Sequence, residues 1–268
     1  MISYYSLEDT EKHRMSNHSS LNLTYIGHAS LLIEINGVRL LTDPILRPWV
    51  WHLRRQSAGI DRTWHQQIDA VLISHGHWDH LDIPSLKVLD RRTRMIMPHG
   101  LAEILRPHGF HHIEEMVIGQ TLNLGPITIE ATYAQHNGNR LFSGTEADCL
   151  GFVIHGQQSI YFAGDTDLFP DMGHLVDNLD VALLPVWGWG PTLGSGHLDP
   201  HRAAKALQLL RPRLAIPIHW GTYFPFGLRW VLPRLLTDPP LAFATFAAKL
   251  APEVEVKIIA PGDTFELR

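Results

Sequence analysis

Ser74-His75-Gly76-His77-Trp78-Asp79-His80 follows the apolar run Asp69-Ala70-Val71-Leu72-Ile73 and precedes Pro84 and a helix-like segment. The run is short enough for a buried strand, so the histidines fall in a loop at a strand's C-terminal end. In an extended loop alternate residues point the same way. His75 and His77 can therefore converge on one metal ion, while Asp79 and His80, after a bend, face another. The chain holds 18 histidines, yet this composition yields H-x-H-x-D-H by chance in only roughly one such chain in two hundred.

The rest of the composition narrows the class. With 268 residues, 45% hydrophobic and 18% charged, the chain can bury a sizeable core, and no linker divides it. The expectation is a polar segment over residues 1–20 and a single domain over 21–268. A net charge of −5 with scattered Lys and Arg argues against a nucleic-acid partner. Cys149 is the only cysteine, which excludes an intrachain disulfide and suggests a reducing compartment, so the chain reads as cytoplasmic. No stretch of about 18 apolar residues predicts a membrane span. Peripheral membrane contact and the oligomeric state stay open.

Taken in order, Leu21 to Ile26, Ser30 to Ile35 and Val38 to Leu41 read as strands, with Asn36-Gly37 as a hairpin turn. Ile45 to Gln67 reads as irregular. Asp82 is placed to cap a helix over Pro84 to Leu89, and Asp199-Pro200 starts another. Further strands end just before His136, Asp165 and His219. Val254 to Ile259 closes the chain as a strand. Runs of strands separated by single helices predict stacked sheets covered by helices.

Every candidate ligand lies just past a strand-like run. Seven such donors suit two divalent ions: His75, His77 and His136 on one, Asp79, His80 and His219 on the other, and Asp165 between them. Zinc suits an imidazole-rich set, and manganese or iron would accept the same donors. Two ions close together can hold a hydroxide as nucleophile and polarise the oxygen under attack, with Asp79 in the catalytic centre. His197, in the glycine-rich loop Trp187 to Gly196 and its continuation, is the candidate proton source for the leaving group, with Tyr223 as a second. Trp49, Trp51, Trp78, Trp187, Trp189 and Trp220 fall in or beside these loops and predict an apolar wall.

These motifs resemble the metallo-β-lactamase superfamily, whose H-x-H-x-D-H signature is followed by a distant His, an Asp and a last His in the order seen here. Tyr25-Ile26-Gly27-His28-Ala29-Ser30, Leu41-Thr42-Asp43-Pro44, Phe162-Ala163-Gly164-Asp165-Thr166 and His219-Trp220-Gly221-Thr222-Tyr223 look like the branch containing N-acylphosphatidylethanolamine-hydrolysing phospholipases D and bacterial sugar-phosphate lactonases. The resemblance, which runs from about Leu23 to Tyr223, implies an α/β fold, a four-layer αββα sandwich with the dinuclear site at one edge. It also implies hydrolysis of an ester-like bond, phosphodiester or lactone, in a small-molecule substrate. Asp167 departs from the phospholipase-like members, which carry Gly there. His28 is a candidate to support a ligand from behind. A nuclease of the superfamily and a diiron oxidoreductase are the alternatives. The diiron enzymes typically resemble H-x-E-x-D, whereas His77 holds the Glu position here.

Overall fold

The computed structural model describes residues 20–138 and 147–267. Apart from Ser20, the expected polar N-terminal segment lies outside these residues. Two seven-stranded mixed sheets face each other. The first runs, in hydrogen-bonded order, Thr264–Leu267, Leu21–Gly27, Ser30–Ile35, Val38–Thr42, Ala70–Leu72, Arg94–Pro98 and Ile113–Met116. The second runs Glu255–Val256, Leu214–Ile218, Val181–Pro185, Ser159–Phe162, Leu150–His155, Ile127–Tyr133 and Thr121–Leu124.

Alternation along the first sheet decides the layering. Leu31, Ile33, Leu40, Ala70, Leu72 and Ile96 point into the core shared with the second sheet. Their neighbours Leu32, Leu41, Val71, Ile73, Met95 and Met97 point outward, where they pack against Leu86, Leu101 and Leu105. Helix Pro200–Leu210 buries Ala203, Ala204, Leu207 and Leu210 against the second sheet, and helix Asp238–Leu250 lies beside it, burying Phe243 and Ala247. Helix, sheet, sheet, helix is the αββα order the motifs implied. No helix of the described residues is long and apolar enough to cross a membrane.

The expected strands at the site are present, and both predicted caps form. Asp82 accepts from the Ser85 amide and Asp199 from the Arg202 amide. Three local expectations need correction. The helix expected over Pro84 to Leu89 is a single turn, Ile83–Leu86, because the Val88 and Leu89 amides bond three residues back, to Ser85 and Leu86, and not four. The strand expected to close the chain over Val254 to Ile259 covers only Glu255–Val256, the two residues that pair with Leu214–Ile218, and the last strand is Thr264–Leu267, which joins the first sheet. The segment read as irregular contains a short ribbon, Trp49–Val50 with Leu53–Arg55, paired to Tyr223–Pro225. Its strands are too short to show a period in sequence.

Candidate metal centre

The loop ends do meet. His75 Nε2 lies 2.9 Å from His77 Nδ1, which lies 3.2 Å from His136 Nε2. A second group stands alongside: the Nε2 atoms of His80 and His219 are 3.3 Å apart, and each is 3.9 Å from Asp79 Oδ2. Asp165 sits between them. Its Oδ2 is 3.2 Å from His80 Nε2 and 4.0 Å from His136 Nε2, and its Oδ1 is 3.2 Å from His219 Nε2. All seven sequence-predicted donors are thus brought together.

The backbone is bent to achieve this. Gly164, immediately before Asp165, has φ +59°, and a Cβ there would lie 2.5 Å from the Ser74 Cβ, so only glycine lets the two ligand loops touch. His28, Asp43 and His219 are non-glycine residues with positive φ, at 62°, 33° and 62°. Such conformations cost free energy and gather at functional sites.

Hydrogen bonds behind the donors fix which nitrogen faces inward. His136 Nδ1 donates to the Gly196 carbonyl at 2.7 Å. A carbonyl only accepts, so Nε2 of the neutral ring is bare and faces His77. His80 Nδ1 is likewise 2.7 Å from Asp43 Oδ2. Asp43 is itself held by the Ser74 amide at 2.7 Å and hydroxyl at 2.6 Å. This is the carboxylate–histidine arrangement that orients and strengthens metal-binding imidazoles. On the opposite side His28 Nε2 is 3.0 Å from Asp79 Oδ2, and the His219 amide donates to the His28 carbonyl. His28 therefore braces two of the donors.

The electrostatics match. Burial, reinforced by neighbouring imidazoles, holds His75 well below its ordinary value, His77 at about 4 and His219 at about 3, so these rings are neutral and keep lone pairs. Asp165 is fully buried, which alone would raise it. His219 and His80 outweigh burial and hold it well below the carboxylate range. His80 is the exception: burial opposes its charge, but Asp165, Asp43 and Asp79 drive it well above the ordinary value. Three carboxylates around one ring call for positive charge, as an imidazolium or a cation. Asp165 Oδ1 is buried and finds no hydrogen-bond partner among the described residues. Bare imidazole nitrogens aimed at an unpartnered carboxylate oxygen fit divalent cations better than any protein donor.

His197 joins the edge of this cluster, with Nε2 3.5 Å from Asp165 Oδ2 and Nδ1 3.3 Å and 3.2 Å from the carbonyls of Gly194 and Ser195. Burial works against its charge, but Asp165 and the two carbonyls push it up to about 9. Tyr223 does not face the cluster. Its buried hydroxyl donates to the carbonyls of Ile45 and Arg47, which removes it as a proton source.

A cleft of about 210 Å³ opens over Asp79, Asp165 and His197, walled by Val50, Trp51, Leu53, Trp78 and Trp189. The expected ring of six tryptophans is half present. Trp220 is 8% exposed and its indole donates to the Pro217 carbonyl, Trp187 packs on the main core, and Trp49 lies against Phe226. Trp187 and Trp220 follow strand ends that turn them away from the cleft, and Trp49 lies within the short ribbon, on the face opposite Val50. Asp167, the departure from the phospholipase-like pattern, forms an ion pair with Arg202. The residues to which the sequence assigned no role are Asp43, named there only within a motif, and the ribbon Val50–Leu53. Asp43 had one signal: it belongs to a quoted motif, Leu41-Thr42-Asp43-Pro44.

Comparison with known proteins agrees with this geometry. The beta-lactamase superfamily domain matches residues 38–220. A UPF0173 metal-dependent hydrolase of Methanopyrus kandleri is 32% identical over 259 residues, covering 92% of this chain and 100% of the relative. The N-acyl-phosphatidylethanolamine-hydrolyzing phospholipase D 1 of Caenorhabditis elegans is 29% identical over 238 residues, 78% of this chain and 66% of the relative. Igni18, a metallo hydrolase of Ignicoccus hospitalis, superposes with a TM-score of 0.72 at 25% identity, covering 93% of this chain and 99% of its own. The chain belongs to the metallo-β-lactamase superfamily and, within it, to the UPF0173 metal-dependent hydrolases.

Proposed function

We propose that His75, His77, Asp79, His80, His136, Asp165 and His219 hold two divalent cations, and that the protein hydrolyses an ester-like bond, a phosphodiester or a lactone, in a small substrate with an apolar portion. The observation that carries this reading is Asp165, whose two oxygens reach histidines of both donor groups. Zinc suits so many imidazoles, and manganese or iron would accept the same set. Bound there, such cations supply Lewis acidity and an activated water. Residues 21–268 act in this reading as one catalytic domain.

The chain's own residues do the rest. With Nδ1 of His80 turned to Asp43 and Nδ1 of His136 to the Gly196 carbonyl, each ring presents Nε2 to a cation, so the donors are already oriented and need no rearrangement. His28 holds Asp79 in place. His197 lines the cleft as an imidazolium, placed to donate a proton from Nε2 to a departing oxygen. Trp51, Trp78 and Trp189 exclude water and give the apolar portion of a substrate a surface to rest on.

The test is hydrolysis of aryl phosphodiesters, lactones, thioesters and a phospholipid, with metal-free protein reloaded with defined ions. Within the class that turns over, kcat/KM should rise as the acyl or aryl group grows, and Trp189→Ala should flatten that rise, each buried CH₂ being worth about 0.8 kcal/mol, or roughly fourfold. No turnover of any class with any ion would refute the hydrolase reading. A flat series unaffected by Trp189→Ala would refute the apolar portion.

A further inference from the structure

The four most exposed large apolar side chains among the described residues are Trp230 at 79%, Trp51 at 75%, Val231 at 71% and Phe226 at 68%. They are neighbours. The Phe226 ring lies 5.6 Å from Trp49, and its amide bonds the carbonyl of His52, the residue after Trp51. Phe226 and Trp230 also flank a cleft of about 190 Å³ that includes Arg54, Arg55 and Arg229. Singly exposed apolar residues need no explanation, but a contiguous patch of this kind marks an interaction surface.

The arginines give the surface its sign. Among the described residues none of the three has a carboxylate within ion-pair distance. Arg229 reaches only the Gln56 amide oxygen, at 3.3 Å. Arg55 donates through Nε and Nη2 to the carbonyls of Ala58 and Ile26, while its buried Nη1 has no partner. Arg54 and Arg229 lie over Trp49 and Trp230, 5.5 Å and 4.8 Å from the ring centroids. A stacked guanidinium still has its N–H edge free, and that edge fits a phosphate. Three like charges around one cleft, in a chain of net charge −5, are balanced best by an anionic partner.

We propose that this face docks the protein on the surface of a bilayer carrying anionic phospholipids. Trp51, Phe226, Trp230 and Val231 sit at headgroup depth, where amphipathic rings are most at home, and Arg54 and Arg229 meet headgroup phosphates, while Arg55, held inward by the Ala58 and Ile26 carbonyls, adds only its charge. A second copy of the chain is a poorer occupant, since two-fold pairing through this face would set arginines against arginines. A free phosphate would fill the cleft but leave the aromatic rim in water. The same ribbon that presents Trp49 and Arg54 outward turns Val50 and Leu53 into the metal-site cleft. A docked molecule therefore opens its site toward the lipid. Docking does not depend on the reaction proposed above.

The experiment is co-sedimentation of the full chain with vesicles of phosphatidylcholine alone and of phosphatidylcholine with 30% phosphatidylglycerol, and quenching of tryptophan emission by brominated acyl chains. Binding to the anionic vesicles, with quenching, is expected to be at least tenfold tighter than to the neutral ones and to weaken with salt. Phe226→Ser with Trp230→Ser, and separately Arg54→Gln with Arg229→Gln, should each weaken it about tenfold or more, leaving turnover of a water-soluble substrate unchanged. Equal binding to both vesicles, or no binding, overturns the proposal. So does a dimer that the Phe226→Ser, Trp230→Ser protein cannot form, or saturable binding of inorganic phosphate without vesicle binding.

Discussion

Asp165→Ala is expected to lower kcat/KM by about 10³ or more and to leave the protein unable to retain its full metal complement at any ion concentration near that which saturates the native protein. Asp165 is the residue whose two oxygens reach His80, His136 and His219, so its loss uncouples the two donor groups. It also removes the carboxylate that offsets the gathered imidazoles. Metal content by mass spectrometry after controlled reloading, together with kinetics on the best substrate of the hydrolysis series, checks this. A variant that keeps native metal content and native rate would show that Asp165 is only a strand-end residue.

His80→Ala and Asp79→Ala should abolish hydrolysis with little loss of fold. Both residues sit in the loop after strand Ala70–Leu72 and not in the apolar cores, and truncation of a loop side chain spares the packing that holds the sheets. In His80→Ala the Asp43 carboxylate loses its imidazole partner, which costs about 1–3 kcal/mol for a buried polar group left unpaired. A chemical denaturation midpoint slightly below native, with activity at background, is the expected pair of results. Native activity in either variant after metal removal and reloading would break the assignment of the second donor group.

How much of this was legible in the residues follows from what each signal depends on. The seven donors could be found because each ends an apolar run, and strand ends at one edge of a sheet stack must converge. The layering was legible from runs of strands separated by single helices, but the split of Leu31, Leu32 and Ile33 between the two cores was not, because three successive apolar residues show no alternation. Asp43 was not, because its role depends on a left-handed backbone that turns its carboxylate back onto Ser74 and His80, and an Asp before Pro reads as an ordinary turn. The tryptophans could be counted but not aimed. Trp187 and Trp189 are two residues apart, yet one packs on the main core and the other walls the cleft. The ribbon that carries Trp49, Trp51 and Arg54 has strands of two and three residues, below the length at which alternation is visible, and its pairing with Tyr223–Pro225 is a contact across most of the chain.

The most direct measurement is the number and position of metal ions in protein purified without chelator, by metal analysis and anomalous scattering from crystals. Two ions per chain are expected, one within His75, His77 and His136, the other within Asp79, His80 and His219, with Asp165 at coordination distance, about 2.0–2.2 Å for zinc and oxygen, from both. A single ion per chain, or ions bound away from Asp165, would contradict it.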